Sequence, residues 1–472
     1  MIIFVFCIIF VGYNLQRTLN NFESLKEKYG YKVPIANLTN PVYESDEWTG
    51  MLLDADITYN DGSHNVVPFD PDKDGKVEII SNSFRSDALM IYTYDGDIYE
   101  LTNWTRYIID ASVGGGIARR PIIEFFKSLV KEKLLGWYTG GAHYTAIADM
   151  NGDGRDDLIV AGDLKKYDIV WYEAPEDITN VSAWKKHVAY KNDSHRTYHI
   201  ETGDIDGDGG QDIVFATKTD NSFGWVKNMY PEENWDSIII DAECVRAFYI
   251  RAADLDRNGK DEIIVSEDDS QNGGKLHLYT YSGNPLAQES WNDRIIASFP
   301  SGHGVSVFET WDFDDDGDID IVTGNHQGDV YILINPYPEN IYREWDKYKV
   351  NNYDINSGHD FREIDVGDID NDGDYDIVVP DEANNMVIWF ENPGNGISEN
   401  WEFHVIDKSD QYLRWCHCAE LGDIDSDGDL DILVSAPGSN STLIYINEMK
   451  KNLYFFDRIY KINKILYPIY PD

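Results

Sequence analysis

The residues in this chain best spaced to do chemistry are acids. A pattern D-x-[DN]-x-[DN]-G, with a further acid at its ninth position, occurs seven times. The first copy carries Asp70, Asp72, Asp74 and Gly75, then Glu78; the second Asp149, Asn151, Asp153 and Gly154, then Asp157. The third has Asp204, Asp206, Asp208 and Gly209, then Asp212; the fourth Asp254, Asp256, Asn258 and Gly259, then Glu262. The fifth has Asp312, Asp314, Asp316 and Gly317, then Asp320; the sixth Asp368, Asp370, Asp372 and Gly373, then Asp376; the seventh Asp423, Asp425, Asp427 and Gly428, then Asp431. Alternate side-chain oxygens in a tight loop converge on one point, and Ca²⁺ takes six to eight such oxygens at about 2.3–2.6 Å. The Gly permits the turn that brings a backbone carbonyl inward. Mg²⁺ demands stricter geometry and keeps its waters, so up to seven structural Ca²⁺ are expected. The second and fourth loops have Asn in place of an acid and should bind most weakly.

The helix-flanked calcium loop of the EF-hand needs a Glu at position twelve. Here that position is apolar in most copies, as at Val160, and the chain runs on into β-type residues such as "DIVF", "DIVT" and "DIVV". The elements that must hold these loops are therefore strands. Successive first Asp residues lie 79, 55, 50, 58, 56 and 55 apart. A period near 55 holds four short strands with turns: one leading into the loop, one following it ("DIVVPD"), an aromatic third ("MVIWFENP", "DIVWYEAP") and a fourth led by Trp ("WEFHVID", "WKKHVAY", "WTRYIID"). Four-stranded units repeated radially make a propeller, so the expected fold is all-β, a seven-bladed β-propeller. The early segment "EWTGMLLDADI" resembles a fourth strand and is placed to complete the last blade, in competition with residues 449–463.

The expected organisation is a signal peptide or N-terminal anchor over 1–20, a lead-in over 21–44, the propeller over 45–463 with an insert at about 111–140, and a tail over 464–472. The insert includes Gly114 to Gly116, Arg119, Arg120 and "PIIEFFKSLVKEKLLGWY", which has helical periodicity behind Pro121.

The loops and the "WFENP…W…HVID" pattern resemble the VCBS and FG-GAP-like repeat family of calcium-binding propellers over roughly residues 45–460. Integrin α-chain propellers, some polysaccharide lyases and aldos-2-ulose dehydratase carry related repeats. The resemblance implies the fold and calcium binding, not an activity. The literal Phe-Gly…Gly-Ala-Pro signature is absent, which argues against an integrin-like role.

An activity would sit where the innermost strands converge. Six residues before the first Asp of a loop stand His64, His143, Tyr198, Arg362 and His417, besides Phe248 and Ser306; nine before stand His195, His303, His359 and Arg414; three before stand Glu201, Arg251, Glu309, Asp365 and Glu420. A funnel of His, Arg and acids suits a sugar, or a transition metal held through His. The plainer alternative is hydrogen bonding between neighbouring blades. Three functions remain open. One is a secreted module binding a glycan or an extracellular protein, with calcium as scaffold. Another is a polysaccharide lyase or sugar dehydratase. There His303, His359 or Tyr198 would act as base, Arg362, Arg414 or Arg251 would neutralise the substrate carboxylate, and His417 is a further catalytic candidate. The third is a cell-surface adhesion or structural protein. No Ser nucleophile elbow, phosphate-cradling loop or H-E-x-x-H motif is present.

Composition agrees with export and excludes some partners. The 85 Asp and Glu against 39 Lys and Arg give a formal charge of -46, which repels nucleic acid and anionic membranes. Seven divalent ions would offset 14 of these charges, and the remainder fits either a solvated or a salt-adapted surface. Met1 to Tyr13, MIIFVFCIIFVGY, is an apolar run of signal-peptide length and too short for a relaxed membrane span. Five N-x-S/T sequons begin at Asn37, Asn103, Asn180, Asn192 and Asn440. The four cysteines, Cys7, Cys244, Cys416 and Cys418, make no disulfide framework, and the three outside the leader read as buried small apolar residues. A secreted or cell-surface monomer is expected.

Overall fold

The computed structural model describes residues 32–34 and 43–449, apart from 55–62, 84–86, 114–140, 163–168, 192–196, 351–357, 395–400 and the isolated positions 46, 72, 112, 218, 219, 270 and 315. The leader, the helical segment expected in the insert, the competing strand at 449–463 (save Met449), the tail, Asp72 and His195 lie outside the described residues.

Seven antiparallel sheets follow one another along the chain and close into a ring. Each blade has four strands, the first innermost. In blade 3 these are His199–Gly203, Asp212–Thr217, Ser222–Val226 and Ser237–Asp241. The first strands of neighbouring blades touch around the axis, and Cys418–Gly422 of blade 7 meets Ser63–Phe69 of blade 1. Second strands such as Glu262–Glu267 and Asp431–Ala436 are buried along their whole length, which is why they read as continuous apolar runs rather than alternation. Fourth strands are half exposed, as at Ser237–Asp241. No described helix is long and apolar enough to cross a membrane.

Blade 7 closes the ring with the N-terminal strand. Its order, from the axis outward, is Cys418–Gly422, Asp431–Ala436, Ser441–Asn447 and then Trp48–Asp54, with Tyr43–Glu44 on the edge. The early "EWTGMLLDADI" segment therefore is the fourth strand of the last blade. Blade 1 gains an extra outer strand, Lys32–Pro34, paired with Trp104–Asp110.

A repeated latch explains the Asp that ends the fourth strands. A tyrosine on the third strand of one blade donates its hydroxyl to the last Asp of the preceding blade: Tyr172 to Asp110 at 2.8 Å, Tyr279 to Asp241 at 2.9 Å, and Tyr445 to Asp407 at 2.8 Å. At the closure Tyr92 donates to Asp54 at 2.7 Å, so the N-terminal strand supplies the acid that blade 7 needs. There Arg106 also pairs with Asp54, both 1% exposed. The recurring Trp at the start of the fourth strand has a structural duty too. The indoles of Trp104, Trp184, Trp291 and Trp345 donate to Ile98, Ile178, Pro285 and Ile341 carbonyls at 2.8, 3.0, 2.8 and 2.9 Å, pinning the connection that precedes them. Part of the aromatic content thus packs blades rather than facing a ligand.

The cysteines Cys244, Cys416 and Cys418 are unpaired and buried, as the sequence reading has them.

Candidate metal loops and axial funnel

The seven acidic loops share one geometry. The Gly at position six has positive φ in every copy, from 83° at Gly75 to 101° at Gly373, a region that L side chains adopt only with strain. Its N–H donates to Oδ2 of the first Asp in all seven loops, at 2.8 to 3.2 Å. That bond fixes the first carboxylate; in five loops its Oδ1 accepts a further N–H of the loop, from the residue before the Gly or one earlier. Oδ1 of Asp312 and of Asp368 is buried with no hydrogen-bond partner, as is Oδ1 of Asp206. The oxygens of Asp204, Asp206 and Asp208 lie within 4.8 Å of one another, as do those of Asp312, Asp314 and Asp316. The same holds for Asp254, Asp256 and Glu262, and for Asp368, Asp370 and Asp376. Orphaned buried oxygens in an all-oxygen donor set fit a hard cation, so these clusters can bind metal.

The ninth-position acid has a second task that its spacing did not reveal. In four loops, at Asp157, Asp320, Asp376 and Asp431, it clamps the loop to the sheet by accepting one backbone N–H from the loop and one from the end of the third strand. Asp376 takes those of Ile369 and Asn392 at 2.9 and 2.8 Å; Asp320 those of Phe313 and Asn335 at 3.0 and 2.8 Å; Asp157 those of Met150 and Ala174 at 3.1 and 2.8 Å. Burial pushes these carboxyls up, to about 7 for Asp157 and Asp320 and to about 8 for Asp212, Glu262 and Asp376. Neighbouring loop acids add to the shift. A cation is the natural partner for such a concentration of buried charge.

Two further features were missed. Asn228, Asn335 and Asn447, each at the end of a third strand, staple their loop to the loop of the preceding blade. Asn335 Nδ2 donates to Leu255 and Ile319 carbonyls at 3.0 and 3.1 Å, and Asn447 Nδ2 to Ile369 and Leu430 at 2.8 and 3.2 Å. The signal was present as an Asn 15 or 16 residues after the ninth-position acid. In blade 3, Lys227 reaches into the loop itself, pairing with Asp206 and, at 2.8 Å, with Asp208. An ammonium there occupies two of the three acids that a metal would use.

The axial funnel is layered. The residues six before five of the loops form a ring-on-ring belt: His417 on His64 with centroids 4.1 Å apart, His64 on His143 at 4.9 Å, His143 on Tyr198 at 5.3 Å and Tyr198 on Phe248 at 4.8 Å. His64 Nδ1 also lies 3.0 Å from the His143 carbonyl. For these histidines contact between blades is the observed role. Arg362, at the same position in blade 6, turns instead to Asp360 at 3.1 Å and to Glu382. His303, His359 and Arg414, the described candidates nine before a loop, precede the innermost strands at the mouth. His303 Nδ1 is 2.8 Å from Asp329, whose other oxygen holds Lys349 at 2.6 Å, and His359 Nδ1 bonds the buried Asp381. Arg414 is exposed, its guanidinium 5.4 Å from the ring of Trp415, which is 47% exposed. His326, not foreseen because it lies between strands two and three of blade 5, joins the mouth through Asp360 at 2.5 Å. Burial works against its cation, and Asp268 and Asp360 outweigh this and raise its pKa.

At the other level lies an acid cage. Arg251 pairs with Glu201 at 2.7 Å and with Glu309 through Nε at 3.1 Å. Asp365 accepts the N–H groups of Val366 and Leu421, both at 2.8 Å, and burial pushes its carboxyl up to about 7. Burial likewise raises Glu201, Glu363 and Glu420, and drives His199 well down so that it stands neutral, with Arg251 adding to that shift. Glu363 and Cys418 belong to a layer five residues before each loop, with Asn65, Tyr144, His199 and Tyr249, which the spacing analysis passed over. Alternation along a strand puts that layer on the same face as the one three before the loop, and that was the readable signal.

Among the described residues the candidates fall into three groups: a mouth with His303, His359, Arg362 and Arg414; a belt with His417 and Tyr198; and a cage with Arg251. Belt and mouth adjoin, since Phe248 of the belt packs on His326 at 6.2 Å.

Residues 149–215, 312–379 and 368–434 match the FG-GAP-like repeat family, and each segment begins on the first Asp of a loop. Among curated proteins no match to the chain was found. With such a loop on each of seven blades, the chain is a seven-bladed β-propeller, three stretches of which match the FG-GAP-like repeat.

Proposed function

We propose that this is a secreted calcium-binding propeller that recognises a glycan or an extracellular protein at the mouth of its funnel. The calcium part rests on one observation: in seven loops a Gly N–H fixes one oxygen of the first Asp, and in the fifth and sixth the other oxygen is buried and orphaned. Asp, Asn and Glu side chains of each loop would hold the ion, and its charge would relieve their repulsion and rigidify the blade edges. The recognition part is supported by the mouth, where exposed Trp415 with Arg414 offers an apolar ring beside a cation, and His303, Arg362 and Asp360 offer polar contacts. Export is supported by the apolar N-terminal run.

The test is retention of the calcium-loaded protein on immobilised neutral and acidic polysaccharides, with Trp415→Ala as comparison. Retention lost in that variant is expected. Equal retention of both proteins would move recognition away from the mouth, and none at all would leave a protein ligand. One observation favours a lyase as second reading: His359 is oriented by the buried Asp381, the arrangement a general base needs, with Arg362 close in sequence to neutralise a uronate. Absorbance of unsaturated uronate ends, rising with the wild type and flat with His359→Ala, would establish that reading.

A further inference from the structure

The acid cage holds more negative charge than its arginine answers. Arg251 is committed to Glu201 and Glu309, and the carboxylate of Asp365 is satisfied by two backbone N–H groups. Among the described residues no ion pair reaches Glu363 or Glu420. Glu363 is 1% exposed; its Oε1 accepts from the Tyr249 hydroxyl at 2.8 Å and weakly from Asn65 at 3.4 Å, the Tyr144 hydroxyl and the Cys418 thiol also bear on its carboxyl, and Oε2 makes no close hydrogen bond. Cys418, fully buried on the first strand of blade 7, and Glu420, two residues on and therefore on the same strand face, complete a trio. Their donor atoms and one from Glu363 lie within 4.8 Å of one another. Glu420 is only half buried, so the trio is not sealed from solvent on its side.

We infer that Glu363, Cys418 and Glu420 form an axial site for a thiophilic divalent transition cation of the zinc type, separate from the acidic loops. The donor chemistry selects the ion. A sulfur ligand is foreign to Ca²⁺ and Mg²⁺, whereas one thiolate with two carboxylates suits Zn²⁺ or Co²⁺. Metal–sulfur and metal–oxygen bonds of about 2.3 and 2.1 Å at a tetrahedral angle place sulfur about 3.6 Å from oxygen. Cys418 Sγ stands 3.6 Å from Glu420 Oε1. Three protein ligands with one side open is the arrangement of a zinc centre that keeps a position for water or substrate. Binding would displace the thiol proton to solvent and turn a Glu363 oxygen into a ligand. The competing occupant is the proton, with the cage simply holding neutral carboxyls and an S–H···O contact.

The experiment is a Co²⁺ titration of reduced, chelator-stripped protein with excess Ca²⁺ present to fill the loops. The expected result is near-ultraviolet thiolate-to-cobalt absorption saturating at one equivalent and abolished by stoichiometric Zn²⁺. Cys418→Ser should lose the band, Cys416→Ser should keep it, and both should melt as the wild type does. No thiolate band in the wild type would overturn the inference in favour of protons, whatever the variants do. A band that survives in Cys418→Ser would place the metal elsewhere. Because the acidic loops contain no sulfur, the readout stands even if they fail to bind calcium.

Discussion

Asp54 is the residue through which the ring closes, and its replacement by Ala gives a graded prediction. The carboxylate accepts the Tyr92 hydroxyl at 2.7 Å and neutralises Arg106, and both charged side chains are 1% exposed. Removing one partner of a buried ion pair costs about 3–5 kcal/mol, and the lost tyrosine bond adds about 1 kcal/mol. Asp54→Ala should therefore cost about 4–6 kcal/mol, a large part of the roughly 5–15 kcal/mol that holds a folded protein. Asp241→Ala is the internal control. There Tyr279 makes the same bond at 2.9 Å, the Glu243 N–H donates at 2.7 Å, and among the described residues no arginine pairs with the carboxylate, so about 1–2 kcal/mol is expected. Urea unfolding at fixed calcium, read as a midpoint shift at constant slope, compares the two. Equal small losses would refute the reasoning, because they would mean that the N-terminal strand does not lock the ring through this pair.

Other perturbations reach the loops and a distant histidine. Asn447→Ala removes two donated bonds and the one accepted from Met449 at 3.0 Å, and should cost about 2–4 kcal/mol in the same urea assay; a loss below about 0.5 kcal/mol would contradict the staple. Lys227→Met should destabilise the metal-free protein and enlarge the rise in melting temperature on adding calcium, since Asp206 and Asp208 lose their built-in counter-ion; an unchanged calcium response would show that the lysine does not compete. Burial disfavours the His277 cation, but Asp293 and Glu267 outweigh it and raise the pKa above 6.5. A raised folded pKa gives stability that is full below the unfolded value and lost as pH climbs through the folded one. His277→Gln should therefore flatten the fall in stability above about pH 6.5, and identical pH slopes for the two proteins would disprove this.

Much of the architecture was legible because it repeats. Seven loops at a near-constant period specify blades, and Trp48 to Asp54 reads as a fourth strand because it has the Trp start and Asp end of the others. The Asp itself was legible only as a pattern; that it receives a tyrosine from the next blade needed coordinates. The acid loops were readable for the same reason, but Lys227 was not, since a lysine 19 residues beyond Asp208 carries no local mark of where its ammonium goes. The funnel was read as one ring of candidate groups. It divides into three levels, because successive residues on a strand point to opposite faces and His64, His143 and His417 spend theirs on one another. Glu363 and Cys418 stand 55 residues apart at the same position of consecutive blades, a spacing that the repeat displays, but that their donor atoms meet needed coordinates.

Calcium binding by the repeated loops is the central claim, and its most direct test is calorimetric titration of chelator-stripped protein with Ca²⁺, with melting followed in parallel. Several equivalents, at most seven, should bind, and each filled site at a hundredfold excess over its Kd should add about 2.7 kcal/mol of stability. Mg²⁺ at the same concentration should do much less. Melting that is the same in chelator and in calcium, with no heat of binding, would contradict the account.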